Sequence, residues 1–208
     1  MTPTFIVSGT DTGIGKTAAA AMLTLGLNAY YWKPIQSGTE DGTDTATVKA
    51  LTGQPEARFL PEAYVLSEPL SPHRSAELDG VTMDLDRLAP PSVDAPLIVE
   101  GAGGLMVPIK RDLLQIDLFK AWGVPVILCA RTGLGTINHT LLSVEALRTR
   151  DITLHGILFI GDDNPDNIRT IAELSGARIL GRLPWLDRVD ATSLTAAFAD
   201  HFRLGDFQ

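Results

Sequence analysis

A lysine stands between a glycine and a threonine in the segment "GTDTGIGKT", residues 9–17, directly after the first apolar run of the chain. The spacing is one residue away from the phosphate-binding pattern G-x-x-x-x-G-K-S/T, with Thr10 in the first glycine place and Gly9 just before it. The chemistry of such a loop is specific. Successive backbone N–H groups and a helix beginning near Lys16 face a polyphosphate, Lys16 adds a point charge, and the Thr17 hydroxyl can ligate Mg²⁺. A glycine turn with a solvated lysine is the plainer alternative, but the position at the first strand-to-helix turn favours a nucleoside triphosphate with Mg²⁺.

Mg²⁺ between phosphates asks for further hard oxygen ligands, commonly a carboxylate at a neighbouring strand end. Glu100 follows Leu97, Ile98 and Val99 and opens a glycine-rich run, Gly101, Ala102, Gly103 and Gly104, where backbone can approach a ligand closely. Asp44 begins "DTATVKALTG", where it can cap a helix, serve the metal, or do both. A second lysine, Lys33, follows "AYYW"; Pro34 stiffens its exit and Ser37 with Gly38 makes a polar turn. Gly135, Thr136, Ile137 and Asn138 precede another helix, with Asn138 as its expected cap, and the free N–H groups there suit a carboxylate. His139 has no nucleophile pattern beside it and reads as structural.

The elements that must position these groups alternate. Continuous apolar runs ("TFIVSG", "AYYW", "PLIVEG", "VPVILCA", "LHGILFI", "ARILGRLP") fit strands covered on both faces, and helix-like stretches lie between most of them. The expected architecture is an α/β fold with a doubly wound, mostly parallel sheet and helices on both faces, of the phosphate-loop nucleoside triphosphatase (P-loop NTPase) type. Gly53, Gly123 and Gly176 follow helical patterns as terminators, and residues 192–205 read as a last amphipathic helix. The proline-rich stretch 54–96 shows little periodicity and reads as an excursion at the ligand-bearing edge, within one domain spanning residues 1–208.

Composition narrows the partners. The chain has 17 basic and 25 acidic residues and no dense Lys/Arg block, which argues against nucleic acid. No apolar run is long enough to cross a bilayer, and no leader pattern precedes the first strand, so no membrane partner and a cytoplasmic location are expected. Cys129, the single cysteine, permits neither an intramolecular disulfide nor a thiolate cluster and reads as a buried structural thiol.

Five motifs in order, "GTDTGIGKT", "KPIQSG", "EGAGGLMVP", "LGTINHTLL" and "GRLPWL", resemble dethiobiotin synthetase, over about residues 5–185 and most weakly between 52 and 95. The resemblance implies an ATP- and Mg²⁺-dependent cyclo-ligase of biotin biosynthesis. It would convert 7,8-diaminononanoate (7,8-diaminopelargonate) and CO₂ or bicarbonate to dethiobiotin, releasing ADP and phosphate. By the same resemblance Lys33, with Lys16, takes the catalytic position, and Thr17, Asp44 and Glu100 correspond to the metal ligands. Gly13, Ile14, Gly15, Lys16, Thr17 and Ala18 match the nucleotide-binding loop, and Thr12 with Ser37 lies near the diamine. Glu100, Gly101, Ala102 and Gly103 border nucleotide or substrate, and Leu183, Pro184 and Trp185 line the base pocket. Gly135, Thr136, Ile137 and Asn138 would meet the diamine carboxylate from a partner subunit, which implies a homodimer.

One departure stands out: relatives that prefer adenine commonly carry an asparagine after the strand written here "GILFI", where this chain has Ile160, Gly161 and Asp162. The alternative function is a partitioning or assembly ATPase acting as an interaction switch, but Thr10, Asp11 and Thr12 occupy the stretch where such proteins place an extra lysine. An amidotransferase would need a nucleophilic cysteine and a glutaminase domain, and a GTPase an N-K-x-D motif, which the sequence lacks.

Overall fold

The computed structural model describes residues 2–208, and strand and helix alternate along most of them. In chain order the elements are β1 (Thr4–Gly9), α1 (Lys16–Gly26), β2 (Tyr30–Trp32), β3 (Ile35–Ser37), α2 (Asp44–Thr52), β4 (Phe59–Leu60), β5 (Tyr64–Leu66) and α3 (Pro72–Leu78). There follow β6 (Leu97–Gly104), β7 (Pro108–Lys110), β8 (Leu113–Leu114), α4 (Gln115–Trp122), β9 (Val126–Arg131) and α5 (Thr136–Thr149). The chain ends with β10 (Leu154–Ile160), α6 (Pro165–Ser175), β11 (Ile179–Leu183), α7 (Ala191–His201) and a short 3-10 turn, Leu204–Phe207.

Seven strands form one sheet in the order β11-β10-β9-β1-β6-β2-β4, and every pair in it is parallel. Alternation along β1 sends Phe5 and Val7 to one face and Ile6 to the other, so each face needs its own cover. On the first, Ala19, Ala20, Ala21, Met22 and Leu23 of α1 pack beside Leu194 and Phe198 of α7. On the second lie Ile116 and Phe119 of α4, Val144 and Leu147 of α5 and Ile171 of α6. This is the expected doubly wound architecture, with winding that reverses at β1, between β6 and β9.

Gly53, Gly123 and Gly176 close α2, α4 and α6 in the left-handed conformation expected of terminators. Two expected caps fall elsewhere. Thr43, not Asp44, caps α2, its hydroxyl accepting from the Ala46 N–H at 3.1 Å, which leaves the Asp44 carboxylate free for other partners. Helix α5 starts earlier than read, after Gly135 with φ +90°, so Asn138 lies inside its first turn and caps nothing.

The stretch 54–96 is more ordered than its pattern suggested. Phe59 and Leu60 pair with Tyr31 and Trp32 to extend the main sheet, β5 pairs with β3, and α3 follows. Strands of two or three residues are too short for periodicity to register, and these are held by their neighbours' backbones. Cys129 is buried in β9, and burial pushes its thiol up to about 12. Among the described residues no helix is long and apolar enough to cross a membrane.

Candidate active site

The opening loop bridges β1 and α1, at the carboxyl ends of the parallel strands. Its Thr10 N–H donates to the Cys129 carbonyl of β9 at 3.0 Å, which anchors the loop to the sheet. Gly15, with φ +97°, sets the turn into α1, and Lys16 folds back so that Nζ donates to the Asp11 carbonyl at 3.0 Å. The offset from the usual pattern has a steric reason: a Cβ at Gly9 would sit 2.6 Å from the Ile14 Cδ1, so the close approach falls one residue earlier than in the pattern.

Behind the loop four charged or polar side chains meet. Thr17 Oγ1 donates to Glu100 Oε1 at 3.0 Å and lies 3.2 Å from Asp44 Oδ1. Lys33 Nζ lies 2.5 Å from Asp44 Oδ2 and 3.2 Å from Glu100 Oε1, and reaches the Gly101 carbonyl at 3.4 Å. Burial pulls the Lys33 pKa down, but Glu100 and Asp44 outweigh it and hold the ammonium above the ordinary lysine value. Burial lowers Lys16 instead; Glu100 offsets this only in part, and Lys33 pushes in the same direction as burial.

These groups line a cavity of about 600 Å³. Thr12, Gly13, Gly15, Lys16 and Thr17 form one wall, Lys33, Ser37 and Asp44 another, and Glu100, Ala102 and Gly103 a third. The Ser37 hydroxyl is buried and has no hydrogen-bond partner, so it is a free polar atom at the cavity. Ile14 of the loop and Ala18 just after it turn into the core, and Gly101 backs onto Phe119 and Gln115.

The remaining sequence-predicted residues lie outside this cavity. Leu183 belongs to the core, whereas Trp185 is exposed beside Gly161, whose φ is +130°. In the expected base-reading region Asn164 and Asn167 both donate their side-chain amides to the Thr132 carbonyl. Thr136 donates to the Arg131 carbonyl at 2.5 Å and Ile137 packs on the core, while Gly135 and Asn138 are exposed.

Sequence reasoning missed several contributors. Tyr31 donates to Glu100 Oε2 at 2.9 Å; burial, then the Glu100 charge, keeps its hydroxyl protonated well above the usual tyrosine value. Gln36, inside the recognised "KPIQSG", accepts from the Asp44 N–H at 3.0 Å and donates to the Gly38 carbonyl at 3.0 Å, tying β3 to the start of α2. Gln115 accepts from the Ala102 N–H at 2.6 Å and donates to the Gly104 carbonyl at 3.0 Å, which braces the glycine-rich end of β6. Pro69, Leu70, Ser71 and Pro72, from the proline-rich excursion, supply a fourth wall. A polar residue inside an apolar strand was the available signal for Tyr31; the glutamines gave none apart from their neighbours.

The AAA domain family model matches residues 3–193. The chain is 57% identical to the ATP-dependent dethiobiotin synthetase of Rhodopseudomonas palustris (strain HaA2), over 100% of this chain and 97% of that protein. It is also 57% identical to the one of Agrobacterium fabrum, over 98% and 96%. The chain belongs to the ATP-dependent dethiobiotin synthetases. Its fold is shared more widely: the cell division ATPase MinD of Pyrococcus furiosus superposes with a TM-score of 0.54 at 13% identity, covering 96% of this chain and 99% of that one. That likeness concerns the fold alone. Among the described residues of this dethiobiotin synthetase no three His, Cys, Asp or Glu side chains form a metal-binding group. A hard cation here would find two carboxylates and one hydroxyl, and phosphate oxygens and water would complete its shell, a donor set that suits Mg²⁺.

Proposed function

We propose that the chain is the ATP- and Mg²⁺-dependent cyclo-ligase that carboxylates 7,8-diaminononanoate with CO₂ and closes the ureido ring of dethiobiotin, in the cytoplasm. The observation that carries this reading is the meeting of Lys33 with Lys16, Thr17, Asp44 and Glu100 around one cavity. A carbamate and a γ-phosphate repel each other, and cationic groups aimed at their meeting point lower that barrier. Thr17, Asp44 and Glu100 would hold Mg²⁺, which when bound neutralises charge on the phosphates.

The chemistry assigned to the site is as follows. One amine of the diamine takes up CO₂ as a carbamate, and the γ-phosphoryl group passes to a carbamate oxygen with release of ADP. The second amine then attacks the carbonyl carbon, the C–O bond to phosphate breaks, and inorganic phosphate leaves as the ring closes. Lys33 faces the transferring oxygen, Lys16 and the Gly13 to Thr17 loop cradle the polyphosphate, and Ser37 with Thr12 orients the diamine. Gly135 and Asn138 lie away from the cavity in the same chain, and this supports their service to a partner's site in a homodimer. Leu183, Pro184 and Trp185 are assigned to the nucleobase.

The test is phosphate release measured with each substrate omitted in turn. Release that depends on both the diamine and bicarbonate, with dethiobiotin as product, is expected. Release that instead requires a protein or DNA partner would replace this reading with a partitioning switch.

A further inference from the structure

Glu100 is held from several directions, and the chemistry assigned above uses only some of them. Its Oε1 accepts from Thr17 at 3.0 Å and Lys33 at 3.2 Å, while Oε2 accepts from the Tyr31 hydroxyl at 2.9 Å. Tyr31 is fully enclosed and Glu100 nearly so, which leaves that pair no ready exchange with water. The contact follows from register. Tyr31 lies opposite Ile98 on β6, and Glu100, two residues further on, projects from the same face as Ile98. That diagonal is within reach of a long aromatic side chain. Phenylalanine would fill nearly the same space, so packing alone does not account for the hydroxyl.

We propose that Tyr31 is a positioning residue for the cation site, its hydroxyl fixing the rotation of the Glu100 carboxylate so that Oε1 is turned to Thr17 and Lys33. A carboxylate's terminal torsion is otherwise broad, and a buried one without an outer partner samples rotations that spoil a preformed ligand set. Of the two carboxylates Asp44 is the more open to solvent, its side chain 33% exposed against 1% for Glu100, so the preorganisation of the site falls to Glu100. This inference rests on the reading of Thr17, Asp44 and Glu100 as the ligands of Mg²⁺.

The test is Tyr31→Phe, with Mn²⁺ binding to the ADP-loaded protein followed by electron paramagnetic resonance. Hydrogen-bond partners one layer behind a ligand set metal affinity strongly, so Mn²⁺ should bind about tenfold more weakly while ADP binding without metal stays within about twofold. In steady-state assays the Mg²⁺ concentration for half-maximal rate should rise by a similar factor, with the diamine KM unmoved and most of kcat regained at saturating Mg²⁺. Mn²⁺ affinity within about twofold of wild type would overturn the proposal. So would equal weakening in Tyr64→Phe, which removes a buried tyrosine hydroxyl bonded to the Asp84 backbone, away from the site. If Tyr31→Phe does not fold, Tyr31→Met, also without a donor, takes its place with the same deciding results. Wild-type protein in which ADP brings no Mn²⁺ affinity would remove the cation site, and both readings with it; unchanged affinity in the variant alone removes only Tyr31.

Discussion

By the proposed function Lys33 is the residue on which the chemistry turns, and its surroundings give a buried lysine two roles. It pairs with both Asp44 and Glu100 and, by the proposed function, meets the reacting carbamate. Lys33→Ala should therefore lower kcat by about 100-fold or more, on the scale seen when a group that stabilises developing charge is removed. Nucleotide affinity should change little, because the proposed function gives the phosphates to Lys16 and the loop; equilibrium binding of a fluorescent ADP analogue measures it. Unchanged turnover would take Lys33 out of the mechanism. The variant also leaves Glu100 buried beside Asp44 without its cation, so a lower melting temperature is expected alongside the kinetic loss.

At the scale of elements, the cavity wall formed by residues 69–72 is fastened from outside. Helix α3 follows that wall, and its Glu77 receives two hydrogen bonds from Arg111, at 2.6 Å and 2.7 Å, in the turn between β7 and β8. The hydrogen bond from Arg111, then the one from Arg74, lowers the Glu77 carboxyl from 4.5 to about 2. A carboxyl lowered on folding stabilises the protein fully above its unfolded value, and that contribution is lost as pH falls from 4.5 towards about 2. Glu77→Gln should thus lower the melting temperature by a constant, small amount near neutrality, since the pair is exposed and screened. The gap to wild type should close as the pH drops through that window; a gap independent of pH would mean the pair does not fasten the wall. The outline of α/β alternation was legible because strands covered on both faces read as continuous apolar runs. The fastening was not, because Glu77 and Arg111 are ordinary surface charges until tertiary packing brings α3 against β7.

At the scale of the whole molecule, the residues assigned to the diamine carboxylate lie outside the cavity of their own chain. If a partner supplies them, each site takes Lys33 from one subunit and Asn138 from the other. Lys33→Ala and Asn138→Leu proteins, each nearly inactive with subsaturating diamine, should then regain activity when unfolded and refolded together. Random pairing puts one intact site in half of the dimers, so about a quarter of wild-type activity is expected from a two-fold symmetric pair. Activity that stays at the mean of the two separate variants would place Asn138 in a site within its own chain.

The sequence by itself determined the phosphate loop, the two lysines, the carboxylates and the strand-helix alternation, because local spacing and hydrophobic period express those features. It also carried the family resemblance, through motifs that each lie within a few consecutive residues. Tertiary structure alone decided that Tyr31 stands against Glu100, that Gln36 and Gln115 brace the loops, and that residues 69–72 close the cavity. Tyr31 and Glu100 stand 69 residues apart and are joined by strand register, while the glutamine pairings, over 8 and 13 residues, depend on how the chain turns between elements; neither is encoded in a hydrophobic period.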